Sequence, residues 1–382
     1  MMSKKILINQ LFLIVLIIVN LSCGTLNKLG PKKLNGKINN LRIINNQLTF
    51  TSPDSCFALI NYKNRVNNDD HYRGWTAGEG KISHSYYLPV TEKNINYEMR
   101  LSLFTPQKVM IKDTTFVFLS SAPHYNFLKV HFIDVQQGDA ILVQTPNGKN
   151  IQCDGGYGSR GTSTWQGGGA TMALNYLLQQ DVLSLDYIIE THRDLDHYGG
   201  LDDILRSSIQ FNQANYISNT TPQGYQTGAT LILGEVKINF LNFGLPTDVD
   251  NDTSIVLKID YDQVSILLTG DATGVVQNRL YDLGFDLSAD VLKVAHHGAH
   301  TSNTTDMVFL NKVFTRFAQI ATLSFGKGNP YGHPASLSRF SQYQVYGTNQ
   351  VNSTPATGVF SFDCGTILVQ SDGKMVFVST ER

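Results

Sequence analysis

The apolar positions of this 382-residue chain fall into three successive patterns. Leu11 to Val19 is an unbroken apolar run behind the basic pair Lys4 and Lys5. It is shorter than the ~20 residues a membrane-spanning helix needs, and it fits the apolar region of a signal peptide. Residues 24–40, rich in Lys, Asn and Gly, read as a solvated tether. From Leu41 to about Ser120, short stretches such as NQLTFTS, CFALINY, YEMRLSLF and TTFVFLS alternate with polar turns. That spacing predicts a small all-β, sandwich-like domain over 41–121. Within it, HYRGWTAGEG (His71 to Gly80) reads as a loop carrying two exposed aromatics.

The pattern changes near Ala122-Pro123. LKVHFIDV and AILVQT have strand character, and ATMALNYLLQQ places Ala173, Leu174, Leu177 and Leu178 on one helical face. LDYIIE, SIVLKIDY, VSILLTG and DVLKVA are apolar strands, interleaved with the helical stretches GGLDDIL and GVVQNRLYDLG. Strands alternating with helices predict a layered α/β domain over 122–382.

Composition narrows the class. With 42% hydrophobic and 16% charged residues the chain can build a core, so disorder is not the default. The net charge of −1 hides two unlike halves. The first 124 residues carry 7 acids and 15 bases, whereas Tyr125 to Arg382 carry 24 acids and 15 bases, a balance of −9. Cys56, Cys153 and Cys364 have no zinc-ribbon or disulfide spacing and read as buried small residues. Leu21-Ser22-Cys23-Gly24, directly after the apolar run, resembles the lipobox of bacterial lipoproteins, with Asn20 where a large apolar residue is usual. The resemblance implies a signal peptide over 1–23, lipid attachment at Cys23 and a place in the cell envelope. Without lipidation the protein would be secreted or periplasmic.

The chemistry concentrates in THRDLDHYGG, Thr191 to Gly200. A strand ending at Glu190 directs His192 and Asp194 to one side. Asp196 and His197 follow on the turn, so imidazole and carboxylate donors converge where a strand meets a helix. Asp271 follows the strand ILLTG, His296 and His297 follow DVLKVA, and His333 lies in NPYGHP. Singly, each is an ordinary cap, turn or structural histidine. Jointly they predict one shared metal site.

Five ordered stretches, HFIDVQQGDAILVQTPNGKNIQCDGG, THRDLDHYGGL, ILLTGDA, VLKVAHHGAHTSN and GNPYGHP, resemble the metallo-β-lactamase superfamily, in particular the hydrolase domain of ComEC-type DNA-uptake proteins. The resemblance covers about two thirds of the chain. It implies an αββα sandwich with His192, Asp194, Asp196, His197, Asp271, His296 and His297 as metal ligands. His296 best matches the last metal histidine, with His297 next. Asp154 would support the ligands from behind, and Asp196, Asp271 and His333 would act in catalysis. The superfamily's usual second histidine is Asp194 here, and no histidine lies between Asn215 and Gly270, where Asp252 is the nearest oxygen donor. The first of two sites is thus poor in nitrogen, which favours Mn²⁺ there or a single filled site, with one or two Zn or Mn ions in all.

The implied activity is hydrolysis by a metal-bound hydroxide, on a phosphodiester of a nucleotide or nucleic acid. The −9 balance argues against a long polyanion and favours a small-molecule or nucleotide substrate, with contact to the membrane only through the anchor. Two alternatives stand beside it. One is a surface lipoprotein that binds a glycan or protein on an inactive hydrolase scaffold. The other is hydrolysis of a lactone, ester or β-lactam.

Overall fold

A computed structural model describes residues 38–66, 71–90, 92–122, 125–245, 250–302, 307–351 and 358–382. The signal-peptide segment, Cys23 and the tether up to residue 37 lie outside the described residues. The N-terminal strands are β1 (Asn39–Ile44), β2 (Gln47–Asn64), β3 (His71–Thr76), β4 (Lys81–Tyr87), β5 (Asn96–Phe104) and β6 (Met110–Leu119). Next come β7 (Leu128–Phe132), β8 (Ile141–Gln144), β9 (Asn150–Cys153), helix α1 (Met172–Gln179), β10 (Ser184–Leu185), β11 (Tyr187–Ile189), helix α2 (Leu195–Leu205), β12 (Gln210–Phe211) and β13 (Tyr216–Ile217). The remainder is β14 (Thr230–Leu233), β15 (Val236–Asn242), β16 (Val256–Tyr261), β17 (Val264–Leu268), α3 (Gly274–Asp282), β18 (Val291–Lys293), α4 (Val308–Val313), β19 (Ile320–Leu323), β20 (Gln344–Gly347), β21 (Val359–Ser361), β22 (Ile367–Ser371) and β23 (Met375–Thr380).

Two large sheets face each other. One runs β13-β11-β9-β8-β7-β22-β23-β3-β2-β5-β6, and the other runs β14 through β21 in sequence order. Between them lies an apolar core to which the first sheet gives Val130, Val143, Ile151, Ile189 and Val376, and the second Phe240, Leu257, Ile259, Ile266 and Val291. Period-two alternation sends the intervening side chains outward. Val256, Leu267 and Leu292 pack under Val276 and Leu280 of α3 and Phe309 and Leu310 of α4. On the opposite face, Leu142 and Ile188 pack under Leu177 of α1 and Leu201 and Ile204 of α2. These central strands are covered on both faces, which is why they read as near-continuous apolar runs. The arrangement is the αββα sandwich.

The N-terminal region is all β with its own apolar cluster, including Leu48, Ile60, Tyr97 and Leu101. It is not cut off from the sandwich at residue 122, however. β3 pairs antiparallel with β23 through Trp75↔Val376 and Gly74↔Phe377, so the first sheet continues without interruption into β2, β5 and β6. Met375 and Phe377 of the C-terminal strand pack in the N-terminal cluster. Short strands with polar turns look the same whether they close on themselves or extend a neighbour's sheet. The expected loop at His71 is likewise strand β3, with Tyr72 and Trp75 buried. Cys56, Cys153 and Cys364 are free and buried.

Candidate metal centre

Neighbouring strands β9 and β11 run parallel in one sheet, as do β17 and β18 in the other. Each of the four ends in a turn that carries candidate ligands: Asp154 after β9, His192 after β11, Asp271 after β17, and His296 and His297 after β18. Asp154, His296 and His297 have φ of 54°, 50° and 50°. Side-chain-bearing residues seldom adopt this left-handed conformation, and it concentrates at functional sites. Helix α2 descends onto the turn after β9 backbone to backbone. A Cβ at Gly200 would lie 1.9 Å from the Gly155 carbonyl oxygen. Only glycine permits that approach, and it sets Asp196 and His197, in the first turn of α2, beside Asp154.

The donor atoms converge. His197 Nε2 lies 3.3 Å from Asp271 Oδ1, and His297 Nε2 lies 3.4 Å from both Asp271 Oδ2 and Asp196 Oδ2. His192, His197 and Asp271 form one group with metal-ligand spacing, and Asp196, His197 and His297 form another. Two donors about 2.1 Å from a common tetrahedral ion are roughly 3.4 Å apart, so these separations suit a shared cation. The Nε2 atoms of His192, His197 and His297 are buried and have no hydrogen-bond partner. Buried polar atoms are rarely left so. Three of them gathered among carboxylates fit a divalent ion.

The groups behind the donors fix their orientation. His197 Nδ1 lies 2.8 Å from Asp154 Oδ2, and the Asp154 carboxylate also accepts from the Thr191 amide at 2.8 Å and hydroxyl at 2.6 Å. His297 Nδ1 donates to the Ser324 carbonyl at 2.9 Å. Both rings therefore turn Nε2 toward the cluster. Beneath them lies Lys293, fully buried, its ammonium paired with buried Asp139, 3.0 Å from the Gly270 carbonyl and 3.7 Å from Asp271 Oδ1.

Electrostatics agree with the geometry. Burial opposes charge on His297, but Asp271 and the neighbouring Asp196 carboxylate outweigh it and push the imidazole up to about 10. His197 is held well above the usual histidine range in the same way by Asp271 and Asp154. Asp271 sits well below the usual carboxylate range, as the nearby histidines overcome its burial. Asp196 is lowered likewise, chiefly by His297 against desolvation. These ring protons occupy the donor positions that a divalent cation would take on binding.

The expected residues do not all sit equally deep. Asp194 lies 3.4 Å from His192 Nε2, but its side chain is 48% exposed, at the rim. Of the two neighbouring histidines, His297 stands within the donor groups, whereas His296 is partly exposed with Nε2 3.7 Å from Asp271 Oδ2. Asp252 directs its carboxylate to Thr273, the N-cap of α3. His333 lies near the cluster, edge-to-face with His296 at a centroid distance of 5.2 Å. Burial and the nearby histidines bring His333 down to about 4, so it is neutral at pH 7. Asp139 and Lys293 were not singled out from the sequence. The signal was a lysine inside the apolar strand DVLKVA, since lysine is almost never fully buried unless paired.

Comparison with known proteins sets these observations beside a family. Residues 133–209 match the metallo-beta-lactamase superfamily. Over 239 residues, 60% of this chain, the sequence is 30% identical to Recombination protein 2 of Haemophilus influenzae. It is 26% identical over 232 residues to ComE operon protein 3 of Bacillus subtilis, and 27% identical over 240 residues to the uncharacterized protein YcaI of Escherichia coli. The aligned region makes up 54% and 60% of this chain, respectively. The chain spans less than a third of each relative, 28%, 29% and 29% of their lengths. Over residues 133–209 the chain is similar to the metallo-beta-lactamase superfamily, in a fold and beside a donor cluster in keeping with that match, and it resembles the corresponding region of these relatives.

Proposed function

We propose that the protein is a metal-dependent phosphodiesterase acting on a nucleotide or nucleic-acid substrate, anchored in the cell envelope through Cys23. The observation that carries the metal reading is the trio of Nε2 atoms without a hydrogen-bond partner, those of His197 and His297 against Asp196 and Asp271 and that of His192 in one donor group with His197 and Asp271. The class of substrate is supported by the similarity to proteins named for recombination and for the ComE operon. The anchor rests on the apolar run before Cys23.

His192, His197 and Asp271, with Asp196 and His297, would hold the ion or ions; Asp271 turns Oδ1 to His197 and Oδ2 to His297. A divalent cation there supplies Lewis acidity toward water and a phosphoryl oxygen. The protein's own contribution is orientation. Asp154 fixes the His197 ring and Ser324 fixes that of His297. Neutral His333, with a buried and partnerless Nδ1, stands ready to contact substrate or accept a proton. The half-exposed Asp194 adds a hard oxygen donor at the rim, which favours Mn²⁺ on that side and Zn²⁺ at the deeper donors.

Elemental analysis of purified protein, with hydrolysis of bis(p-nitrophenyl) phosphate before and after chelation, tests the reading. Bound divalent metal and chelator-sensitive turnover lost in His197→Ala are expected. Protein that takes up no Zn²⁺ or Mn²⁺, or turnover indifferent to chelator, would refute it.

A further inference from the structure

We infer that Trp165 and Tyr331 form a stacking subsite for an unpaired nucleobase next to the metal centre, an assignment that rests on the phosphodiesterase reading above. Aromatic rings lead outward from the donor cluster. The Tyr331 ring lies 5.7 Å from that of His333, Trp165 lies 5.6 Å from Tyr331 at 87°, and buried Tyr157 closes the series 6.0 Å behind Trp165. Tyr331 is 56% exposed, and Trp165 is only partly covered. The chain's other tryptophan, Trp75, is buried in the sheet.

The shelf is held in fixed relation to the metal ligands. Gln137 receives Trp165 and reaches Asp196 at once: its amide donates to the Trp165 carbonyl at 3.0 Å, and its side-chain NH₂ lies 3.5 Å from Asp196 Oδ2. The same side chain accepts from the Gly326 amide at 3.1 Å. A Cβ at position 326 would lie 2.2 Å from the Trp165 carbonyl oxygen, so that backbone contact requires glycine. The turn around Trp165, Thr164–Gln166, buries none of its own residues, so it contributes nothing to the core. Its closure through Ser163 and Gln166 serves to present the indole.

A π-faced ring is the natural occupant of exposed aromatics, and nucleobases stack on them regardless of sequence. Bases inside a duplex cannot reach such a shelf, so the ligand is single-stranded nucleic acid or a nucleotide. Stacking also resolves the charge conflict. An acidic domain that binds polyphosphate weakly by charge gains affinity from bases instead. Arg160, in the same loop as Trp165, lies 5.4 Å from the Tyr198 ring and is paired with Asp202, so the loop's cation is already engaged and base stacking carries the subsite.

The test compares two labelled single strands of equal length and charge, an oligothymidylate and its abasic analogue, by fluorescence anisotropy on the full chain without turnover. Wild type should prefer the thymine-bearing strand by roughly ten- to a hundredfold, the range of aromatic stacking on a base or two. Trp165→Ala and Tyr331→Ala should each lose most of that preference and leave abasic affinity unchanged, while Trp165→Phe retains it. Competition by thymidine monophosphate and by duplex separates a nucleotide from a strand as ligand, and duplex should compete poorly. Equal binding of both strands by wild type, no binding of either, or a preference that survives both alanine variants overturns the subsite. Because binding is read without chemistry, failure of the phosphodiesterase reading appears separately, in metal content and bis(p-nitrophenyl) phosphate turnover.

Discussion

Replacing Lys293 by Met removes a buried cation from under the metal centre, and the structure sets the size of the effect. The ammonium is fully buried and pairs with Asp139, itself 1% exposed. Burial works against its charge, but Asp139 and then Asp271 outweigh it and hold the ammonium above the usual lysine range. Removing one partner from a buried ion pair leaves the other charge uncompensated and costs about 3–5 kcal/mol. The Gly270 carbonyl loses a donor too, for about 1 kcal/mol more. Against a typical stability of about 5–15 kcal/mol, the variant should fold but unfold at distinctly lower urea. Asp139→Asn should cost a similar amount, and the double variant Asp139→Asn/Lys293→Met little more than either alone, with a coupling of about 2 kcal/mol or more. Urea unfolding in chelator measures all four proteins. Added Zn²⁺ or Mn²⁺ should recover more stability in Lys293→Met than in wild type, because a cation replaces the missing charge. A destabilisation under about 1 kcal/mol, or strict additivity of the two single variants, would show that Lys293 and Asp139 are not energetically coupled as a buried pair.

Four further outcomes are expected. His84, stacked on Phe50 at 4.2 Å, is brought down by burial to about 4, below the ~6.5 of an unfolded histidine. The unfolded chain therefore binds the proton first, and stability falls by up to about 3 kcal/mol as pH drops from 6.5 through 4; His84→Phe should flatten that limb in urea titrations. Asp154→Asn removes the carboxylate behind His197 and should weaken metal binding about 10- to 100-fold by direct titration, with secondary structure retained. Asp196→Ala, at a buried donor, should lose far more metal than Asp194→Ala at the rim, and Asp194→His should shift preference toward Zn²⁺ in competition with Mn²⁺; equal loss in the two alanine variants would contradict the assigned depths. Cys23→Ser should release the protein from the membrane fraction or block its processing, as read by fractionation and mass.

The sequence by itself determined the parts of this protein whose physics is local. Strands buried on both faces must be apolar nearly throughout, so SIVLKIDY, VSILLTG and DVLKVA announced themselves. Their ends must turn, so Asp271, His296 and His297 were legible there, as were His192, Asp196 and His197 where a strand meets α2. Tertiary structure alone decided what depends on residues distant in the chain. Asp139 and Lys293, 154 positions apart, become one ion pair only when the two sheets close on each other. Nothing in a hydrogen-bonding edge names its partner beforehand, so β3 could have closed a separate domain, yet it pairs with β23. Two adjacent histidines look alike in sequence. Which one reaches the donors depends on a left-handed turn and on the Ser324 carbonyl behind His297. Trp165 gains its place beside Asp196 through Gln137 in the same manner, by a contact that exists only in the folded chain.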